Sequence, residues 1–313
     1  MTITGDKFLR DLKRRITVPA NQVLIDNDGF LEMADDVTRS RLVPVLMSVN
    51  QNFFVTKTTS EVVTDQAEYP IPYRAIGRGL RELKLGQTSD DTSIYDLSLI
   101  ALEDAYMFGT SGRPCGFYFQ GDKYVLTPAP ADDSYVLHEW YDLQPSRLVQ
   151  TTDAALVTGI SDAVVTCSLV PSTMTAGVYV DFVQGRAGCS TLGMDVAISN
   201  VSGTQITFAS ADDVPSDFAV GDYIALAQET PVVQLPDEAS PLLITVVAER
   251  VLYSIGDFDG SARLKEEAVQ LEKDLKLILA PRVQGETTKI INRRGLLRGR
   301  GGVYWRQRGG YYP

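Results

Sequence analysis

Few residues of this 313-residue chain are of the types that carry out enzymatic chemistry. His138 is the only histidine, so any serine or cysteine nucleophile with a histidine base would depend on this one side chain. It stands in the alternating segment 135–141, which predicts a strand, and a histidine in such a strand is more often structural than catalytic. Cys115, Cys167 and Cys189 are far apart and form no CxxC pair. They predict small buried residues, not a zinc or disulfide site.

Paired acidic residues offer a second kind of chemistry, the binding of a cation. Four Asp-Asp pairs occur, at 35–36, 90–91, 132–133 and 212–213. The last three stand in polar loop sequence without the spacing of an EF-hand loop, so we expect solvated acids. The chain has no GxxxxGK[ST] motif, and Gly299-Arg-Gly-Gly302 is not a GxGxxG motif after a strand. We therefore predict that the protein is not an enzyme and has no cofactor or metal.

The clearest binding chemistry lies in residues 282–313. This segment has eight Lys or Arg and one acidic residue, a net charge of +7, whereas the whole chain carries −11. Residues 1–281 therefore carry −18. Arginine donates charge-assisted hydrogen bonds, and Leu, Tyr and Trp side chains anchor in apolar pockets. The predicted partner-binding residues are Arg293, Arg294, Leu296, Leu297, Arg298, Arg300, Tyr304, Trp305 and Arg306.

Three interpretations of the segment 282–313 follow from its composition. A disordered, solubilising tail would explain the charge, but such tails rarely contain Trp and Tyr. Binding of nucleic acid would use arginine–phosphate contacts and aromatic stacking. A body with a charge of −18 would repel a duplex that lies beside it. The composition therefore favours an acidic protein surface as the partner.

Apolar spacing predicts two helices at each end of the chain. The N-terminal helices are expected over 6–15 and from the cap Asn27-Asp28 onward, the second with a kink or break near Pro44. The C-terminal helices are expected over 242–254 and 261–279, where Pro281 follows. Since all four have an apolar face, we predict that they pack together and bring the two ends of the chain close to each other.

Strands are predicted between the two helical regions. Residues 54–148 predict extended segments, a hairpin at Gly121-Asp122 and a short helix over 97–108. Residues 149–233 contain a single basic residue, Arg186, and predict short strands of a small sandwich or barrel. The strands predicted there are 163–169, 177–182, 195–201, 205–209 and 222–227. Carbohydrate binding, partner binding and a passive role remain open for this insert.

The predicted fold class is therefore α+β. It comprises a helical bundle built from both chain ends, a small β-hairpin region, an inserted β-sandwich or barrel domain and an extended C-terminal arm. No apolar run approaches the roughly 18 residues of a membrane span. The first residues lack the apolar core of a signal peptide, so we expect synthesis in the cytoplasm.

Three stretches of this sequence resemble the head-to-tail adaptor proteins, also called connector or neck-ring proteins, of tailed bacteriophages. The resemblance covers about three quarters of the chain, everything except 149–233. The stretches are DGFLEMADD at 28–36 with SRLVP at 40–44, YPIPYRAIG at 69–77 with GFYFQGDKYVLTP at 116–128, and LYSIGD at 252–257 with PRVQG at 281–285. None of these motifs is chemical, so the resemblance concerns architecture.

The resemblance implies a structural virion protein. Similar proteins form a ring, usually a dodecamer, that joins capsid to tail beneath the portal and lines the channel for DNA ejection. Residues 1–148 and 236–281 would then be the adaptor core, 149–235 an inserted all-β domain and 282–313 the arm that inserts between portal subunits.

The same resemblance implies the partners and the location. The partners are further copies, the portal protein, a tail or nozzle protein below and DNA that passes without sequence-specific binding. No membrane is involved. The expected location is the neck of the virion, and the host cytoplasm during assembly.

Two departures from the family keep alternatives open, because such adaptors are often shorter and do not all share the β insert. One alternative is another phage neck or tail protein whose insert is a decoration or glycan-binding module. The other is an enzyme that acts on nucleic acid or polysaccharide.

Overall fold

The computed structural model describes residues 3–16, 25–88, 90–185 and 191–280. The fold of this part of the chain is α+β, as predicted, with helices at both ends and strands between them. The α-helices are α1 (Gly5–Ile16), α2 (Asn27–Val37), α3 (Val43–Val49), α4 (Ser240–Ser254) and α5 (Phe258–Leu279).

Helices from both ends of the chain share one apolar core. Phe8 and Leu12 of α1 and Val247 of α4 are completely buried in it, and Ala268 and Leu275 of α5 pack into the same cluster. Intervals of four and seven residues place these side chains on one face of their helices. Burial of each large apolar side chain stabilises the fold by about 1.5–3 kcal/mol. The predicted packing of the four helices is confirmed.

The helix interrupted by Pro44 widens and does not break. α2 passes into a π-helical turn over Thr38–Leu42, and α3 follows directly. The N–H of Val43 donates to the carbonyl of Thr38, five residues back. Pro44 then lies at the start of α3, where a missing N–H is tolerated. The expected kink or break is thus a local change of helical pitch.

Two four-stranded sheets follow α3 in the sequence. The strands of this region are β1 (Val55–Glu61), β2 (Glu68–Pro70), β3 (Glu82–Gln87), β4 (Asp90–Asp96), β5 (Ser98–Leu99), β6 (Ser111–Gly112), β7 (Gly116–Gln120), β8 (Lys123–Thr127), β9 (Ala129–Pro130) and β10 (Tyr135–Asp142). The sheet orders are β1-β10-β3-β4 and β2-β8-β7-β5, and the hairpin predicted at Gly121-Asp122 joins β7 to β8.

Two predictions for this region were wrong. The helix predicted over 97–108 is limited to a 3-10 segment at Leu102–Met107, whereas β5 pairs with β7. Leu97 is buried and donates its N–H to the carbonyl of Leu83, so strand pairing overrides the helical propensity. The acidic pair Asp90-Asp91 does not lie in a loop but begins β4.

The inserted region forms a closed antiparallel barrel. Its strands are β12 (Ala155–Ser161), β13 (Val164–Cys167), β14 (Tyr179–Val183), β15 (Thr191–Ala197), β16 (Asn200–Ser202), β17 (Gln205–Thr207) and β18 (Tyr223–Leu226), and β11 (Arg147–Leu148) and β19 (Glu229–Thr230) flank them in the sequence. The sheet has the order β15-β14-β18-β12-β13-β17-β16. Ile198 donates to the carbonyl of Val178 and Ser199 to that of Thr207, so one bent segment joins the two edges.

The bend that closes the barrel explains the difference between the predicted and observed strands. The single strand predicted over 195–201 is two strands, β15 and β16, because the chain turns from one half of the barrel to the other. β12 was not predicted. It pairs with β18 through its first residues and with β13 through the rest, so it also spans both halves.

The chain enters and leaves the barrel at one place, where the two connecting strands lie side by side. β11 pairs in parallel with β19, with Leu148 opposite Thr230. The start of α1 lies against both connections, since the N–H of Gly5 donates to the carbonyl of Pro231. A side chain at Gly5 would overlap the carbonyl of Val149. Glycine at this position therefore allows the N-terminal helix to pack against the barrel's connections.

Candidate functional site: surfaces for assembly

The only histidine of the sequence lies buried within a sheet. His138 is 6 % exposed in the middle of β10. A Cβ atom at Gly86 would lie 2.7 Å from its Nε2, so glycine on the neighbouring strand makes room for the ring. Within the described part of the chain, no group of three or more His, Cys, Asp or Glu is arranged to hold a metal ion.

Three of the four acidic pairs accept hydrogen bonds from backbone N–H groups and lie in separate places. Asp35 accepts from the backbone N–H of Leu148, and Asp132 accepts from the N–H of Ser134. Asp213 forms a capping box with Ser210 at a short 3-10 turn. Each of these three pairs therefore has a carboxylate engaged by nearby backbone.

The cysteine prediction was only partly right. Cys167 is buried in the barrel, and burial raises the pKa of its thiol to about 11. Cys115 is exposed in the loop before β7, where its Sγ lies 3.5 Å from the carbonyl oxygen of Thr127. Cys189 lies outside the described residues. Residue type alone does not indicate whether a cysteine stands in a strand core or on a loop.

A buried carboxyl group connects the two central sheets. Glu139 of β10 is 2 % exposed, and it accepts from the hydroxyl groups of Tyr124, on β8, and Ser60, on β1. Burial raises the pKa of Glu139, although both hydrogen bonds act in the opposite direction. The arrangement satisfies a buried polar group inside the fold.

The barrel is fixed to the central strands by one buried ion pair. Arg74 donates to both carboxylate oxygens of Asp181 on β14, at 2.6 and 2.9 Å, and also to Asp195 on β15 at 2.6 Å. Arg74 is 5 % exposed and Asp181 is completely buried. Burial alone would lower the pKa of Arg74, but Asp181, Tyr73 and Asp195 together raise it above its usual value.

The carboxylate of Asp181 has four donors. Besides Arg74, the backbone N–H groups of Asp195 and Gln228 donate to it, each at 3.0 Å. Both donors have positive φ, 55° for Asp195 and 68° for Gln228, a region in which residues other than glycine are strained. The local strain therefore directs two N–H groups toward one buried charge.

An apolar surface lies at the turn between α4 and α5. Tyr253 and Phe258 are 65 % and 62 % exposed, and their rings meet edge to face with centroids 5.4 Å apart. Asp257 caps α5 by accepting from the N–H of Gly260, so α5 begins three residues before the predicted position. This cap starts the helix at Phe258 and leaves the aromatic pair in solvent.

A cleft of about 670 Å³ opens beside this aromatic pair. Met33 and Asp36 of α2 line one part of it, and Arg250 of α4 and Lys265 of α5 line others. Further along α5, Val269 and Leu277 are 45 % and 77 % exposed. Val269 and Leu277 lie 11 and 19 positions beyond Phe258, so they are separate exposed side chains. An exposed aromatic pair with a polar rim is typical of a protein–protein contact. We call Tyr253 and Phe258 the helical apolar surface.

All nine residues predicted to bind the portal, from Arg293 to Arg306, belong to the segment 281–313. This segment lies outside the residues that the structure describes, so their role stays a prediction from sequence. None of the helices in the described ranges is long and apolar enough to cross a membrane.

Sequence reasoning missed both the helical apolar surface and the Arg74 cluster. Tyr253 and Phe258 gave a weak signal, because they fall outside the apolar spacing of α4 and α5. Arg74 gave no signal, since its partners Asp181 and Asp195 are more than 100 residues away in the sequence.

Comparison with known proteins adds no identification. The chain matches no protein-family model, and no curated protein matches its sequence.

Proposed function

We propose that this protein is a structural virion subunit, a head-to-tail adaptor of a tailed bacteriophage. Copies form a ring beneath the portal, join the capsid to the tail and line the channel through which DNA leaves. The arm, residues 282–313, binds the portal protein. The proposal rests on the resemblance of three sequence stretches to that family and on the physical features described below.

The uneven distribution of charge is the observation that carries the proposal. Residues 1–281 have a net charge of −18, whereas residues 282–313 have +7 together with Trp305 and several tyrosines. An acidic channel wall does not retain DNA phosphates as they pass. A basic, aromatic arm has the composition of a protein-binding hot spot, in which Trp, Tyr and Arg dominate the binding energy.

The helical apolar surface supports the assembly part of the proposal. A subunit that works alone would leave the side chains of Tyr253 and Phe258 exposed to water. Their apolar surface would then contribute nothing to the stability of the protein. In a ring, the neighbouring copy or the portal covers such side chains. The basic arm follows α5 directly in the sequence.

Co-sedimentation with the cognate portal ring tests the function. We expect the full chain to bind and a chain that ends after Pro281 not to bind. Trp305→Ala should weaken binding by about 2 kcal/mol, roughly 30-fold in Kd, as expected for an aromatic hot spot. A matched pair of variants tests the charge of the arm. Arg298→Lys keeps the positive charge and Arg298→Gln removes it, so the lysine variant should bind the portal more tightly.

Two results would contradict parts of this proposal. Equal binding by the full and shortened chains would transfer the portal contact from the arm to the helical core. Failure of the full chain to bind would remove the adaptor function. The barrel, as a decoration or glycan-binding module of another neck or tail protein, would then be the next element to test.

A further inference from the structure

We propose that copies of this chain associate by pairing the free edge of β4 in one copy with the free edge of β1 in the next. The inference deepens the proposed function, on which it rests, by assigning the contact between ring neighbours. β1 and β4 are the two edges of the sheet β1-β10-β3-β4, and neither has a second partner strand in the described ranges. Open edges of this kind accept strands from other chains.

Half of the backbone groups of β1 face away from its sheet. Val62, just after the strand, donates to the carbonyl of Tyr135 in the β10 ladder. Residues two apart in a strand direct their backbone groups to the same side, so Ser60 also faces β10. The N–H and C=O groups of Lys57 and Thr59 therefore face the free edge, where an added strand would bond to them.

The space beside β1 is open. A cleft of about 640 Å³ is bordered by residues 57–60 of β1, residues 70–74, two residues of β10 and residues 192–195 of the barrel. Its lining includes Lys57 and Thr59, whose backbone groups face the free edge. Open space therefore borders this edge of β1.

β4 presents a matching edge. Leu97 donates to the carbonyl of Leu83 and Tyr95 lies opposite Leu85, so the backbone groups of Ile94 and Asp96 face away from β3. The register between β3 and β4 shifts before Tyr95, so the regular edge of β4 begins near Ile94. The side chain of Ile94 is 41 % exposed, so apolar surface as well as backbone is available to a neighbour.

Charge favours pairing between unlike edges. The sequence of β4, DDTSIYD, has three aspartates and no basic residue. The cleft beside β1 is lined by three basic side chains, Lys57, Arg74 and Arg78, and by two acidic ones, Glu139 and Asp195. Arg74 pairs with Asp195, so the net charge of the lining is positive. Lys57 Nζ lies 5.3 Å from the centroid of the Trp140 ring. Pairing of β4 with another β4 would bring like charges together, which is destabilising. The occupant of the β1 edge that fits best is therefore β4 of a second copy.

Strand direction also fits a ring. Neighbouring strands of the sheet are antiparallel, so β1 and β4 run in opposite directions. Placing the next copy in the same orientation makes the new β4–β1 pair antiparallel and continues the sheet. A contact between two different edges is heterologous, and such contacts form a closed ring when the rotation between neighbouring copies divides a full turn.

Proline substitutions at the two edges test the inference. Thr59→Pro removes an N–H that the chain's own sheet does not use. Thr59→Val, the matched control, keeps that N–H. Sedimentation velocity of the full-length proteins should show self-association for wild type and Thr59→Val. Thr59→Pro should associate at least about tenfold more weakly and be monomeric where wild type self-associates, since it loses a backbone hydrogen bond and blocks close approach. Circular dichroism and thermal melting verify that each variant is folded.

A mixing experiment identifies the pairing. Ile94→Pro blocks the β4 edge, with Ile94→Val as its control. Each proline variant alone should be monomeric. A mixture of Thr59→Pro and Ile94→Pro should form dimers that cannot grow, because one chain supplies an intact β4 and the other an intact β1. Dimers of Ile94→Pro alone would instead show β1–β1 pairing and overturn the inference.

Sedimentation on portal rings separates this inference from the proposed function. If the portal ring binds as many adjacent copies of Thr59→Pro as of wild type, edge pairing would be overturned and the adaptor function would remain intact. Wild type that self-associates through Thr59 but does not bind the portal would support edge pairing and contradict the function. Wild type that remains monomeric both alone and with the portal would overturn both.

Discussion

Two polar contacts that join the barrel and its connecting strands to the rest of the protein differ in their exposure to water. On the side of the central strands, Arg74 and Asp181 form a bidentate pair that is almost completely buried. On the side of the helices, Glu32 pairs with Arg147 across 3.2 Å, and their side chains are 66 % and 45 % exposed. Asp35 lies nearby and accepts from the N–H of Leu148. We call these the strand joint and the helix joint.

The difference shows which joint determines the position of the barrel. Breaking a buried ion pair leaves an uncompensated charge inside the protein, which costs several kcal/mol. An exposed pair gives at most about 1 kcal/mol, since water solvates both partners when they separate. The strand joint therefore holds the barrel most strongly, whereas the exposed Glu32–Arg147 pair of the helix joint contributes little.

The largest effect is expected at the strand joint. Arg74→Met should lower the free energy of unfolding by about 3–5 kcal/mol, because Asp181 stays buried with only its two backbone donors. Urea unfolding of the full-length protein measures this. The double variant Arg74→Met/Asp181→Asn removes the charge and should recover part of the loss. A loss below about 1 kcal/mol in the single variant would show that the joint opens to water.

The helix joint should make stability depend on pH through Asp35. Burial raises its pKa from 3.8 to about 6, although the hydrogen bond from Leu148 and the charge of Arg39 lower it in part. A carboxyl group whose pKa is raised on folding stabilises the protein at low pH, and this contribution is lost as pH rises through about 6.

Asp35→Asn should remove this dependence and keep an oxygen that can accept from Leu148. Unfolding free energies at pH 4 and pH 8 measure it. From pH 4 to pH 8, wild type should lose about 2 kcal/mol relative to the variant, after a discount for partial exposure of Asp35. Parallel pH profiles for the two proteins would show that Asp35 has an ordinary pKa.

The smallest effect is expected for the exposed pair of the helix joint. Glu32→Gln should change the free energy of unfolding by less than about 0.5 kcal/mol, and the difference should shrink further in high salt. Urea unfolding at low and high salt measures it. A loss of several kcal/mol would remove the distinction between the two joints.

Local sequence patterns were sufficient for the secondary structure that depends on local interactions. The spacing of Leu264, Ala268, Leu271 and Leu275 predicted the buried face of α5, and Gly121-Asp122 predicted the hairpin between β7 and β8. These signals are local because a helical face or a tight turn is set by residues a few positions apart.

Features that depend on distant residues could not be predicted in this way. The segment after Leu97 resembles a helix but pairs with β7, and the bend at Ile198 appears only when the barrel closes. The exposure of Cys115 was missed for the same reason. In each case the deciding contact comes from a strand far away in the sequence.

The amino-acid sequence by itself determined the α+β class, the pairing of helices from both chain ends and the separation of an acidic body from a basic, aromatic segment. Composition and periodicity carry that information because it depends on residue type and short spacing. Only the tertiary structure decided that Arg74 fixes the barrel through Asp181, that Tyr253 and Phe258 face solvent, and that β1 and β4 are open edges. These features depend on which distant segments meet, and no local pattern records that.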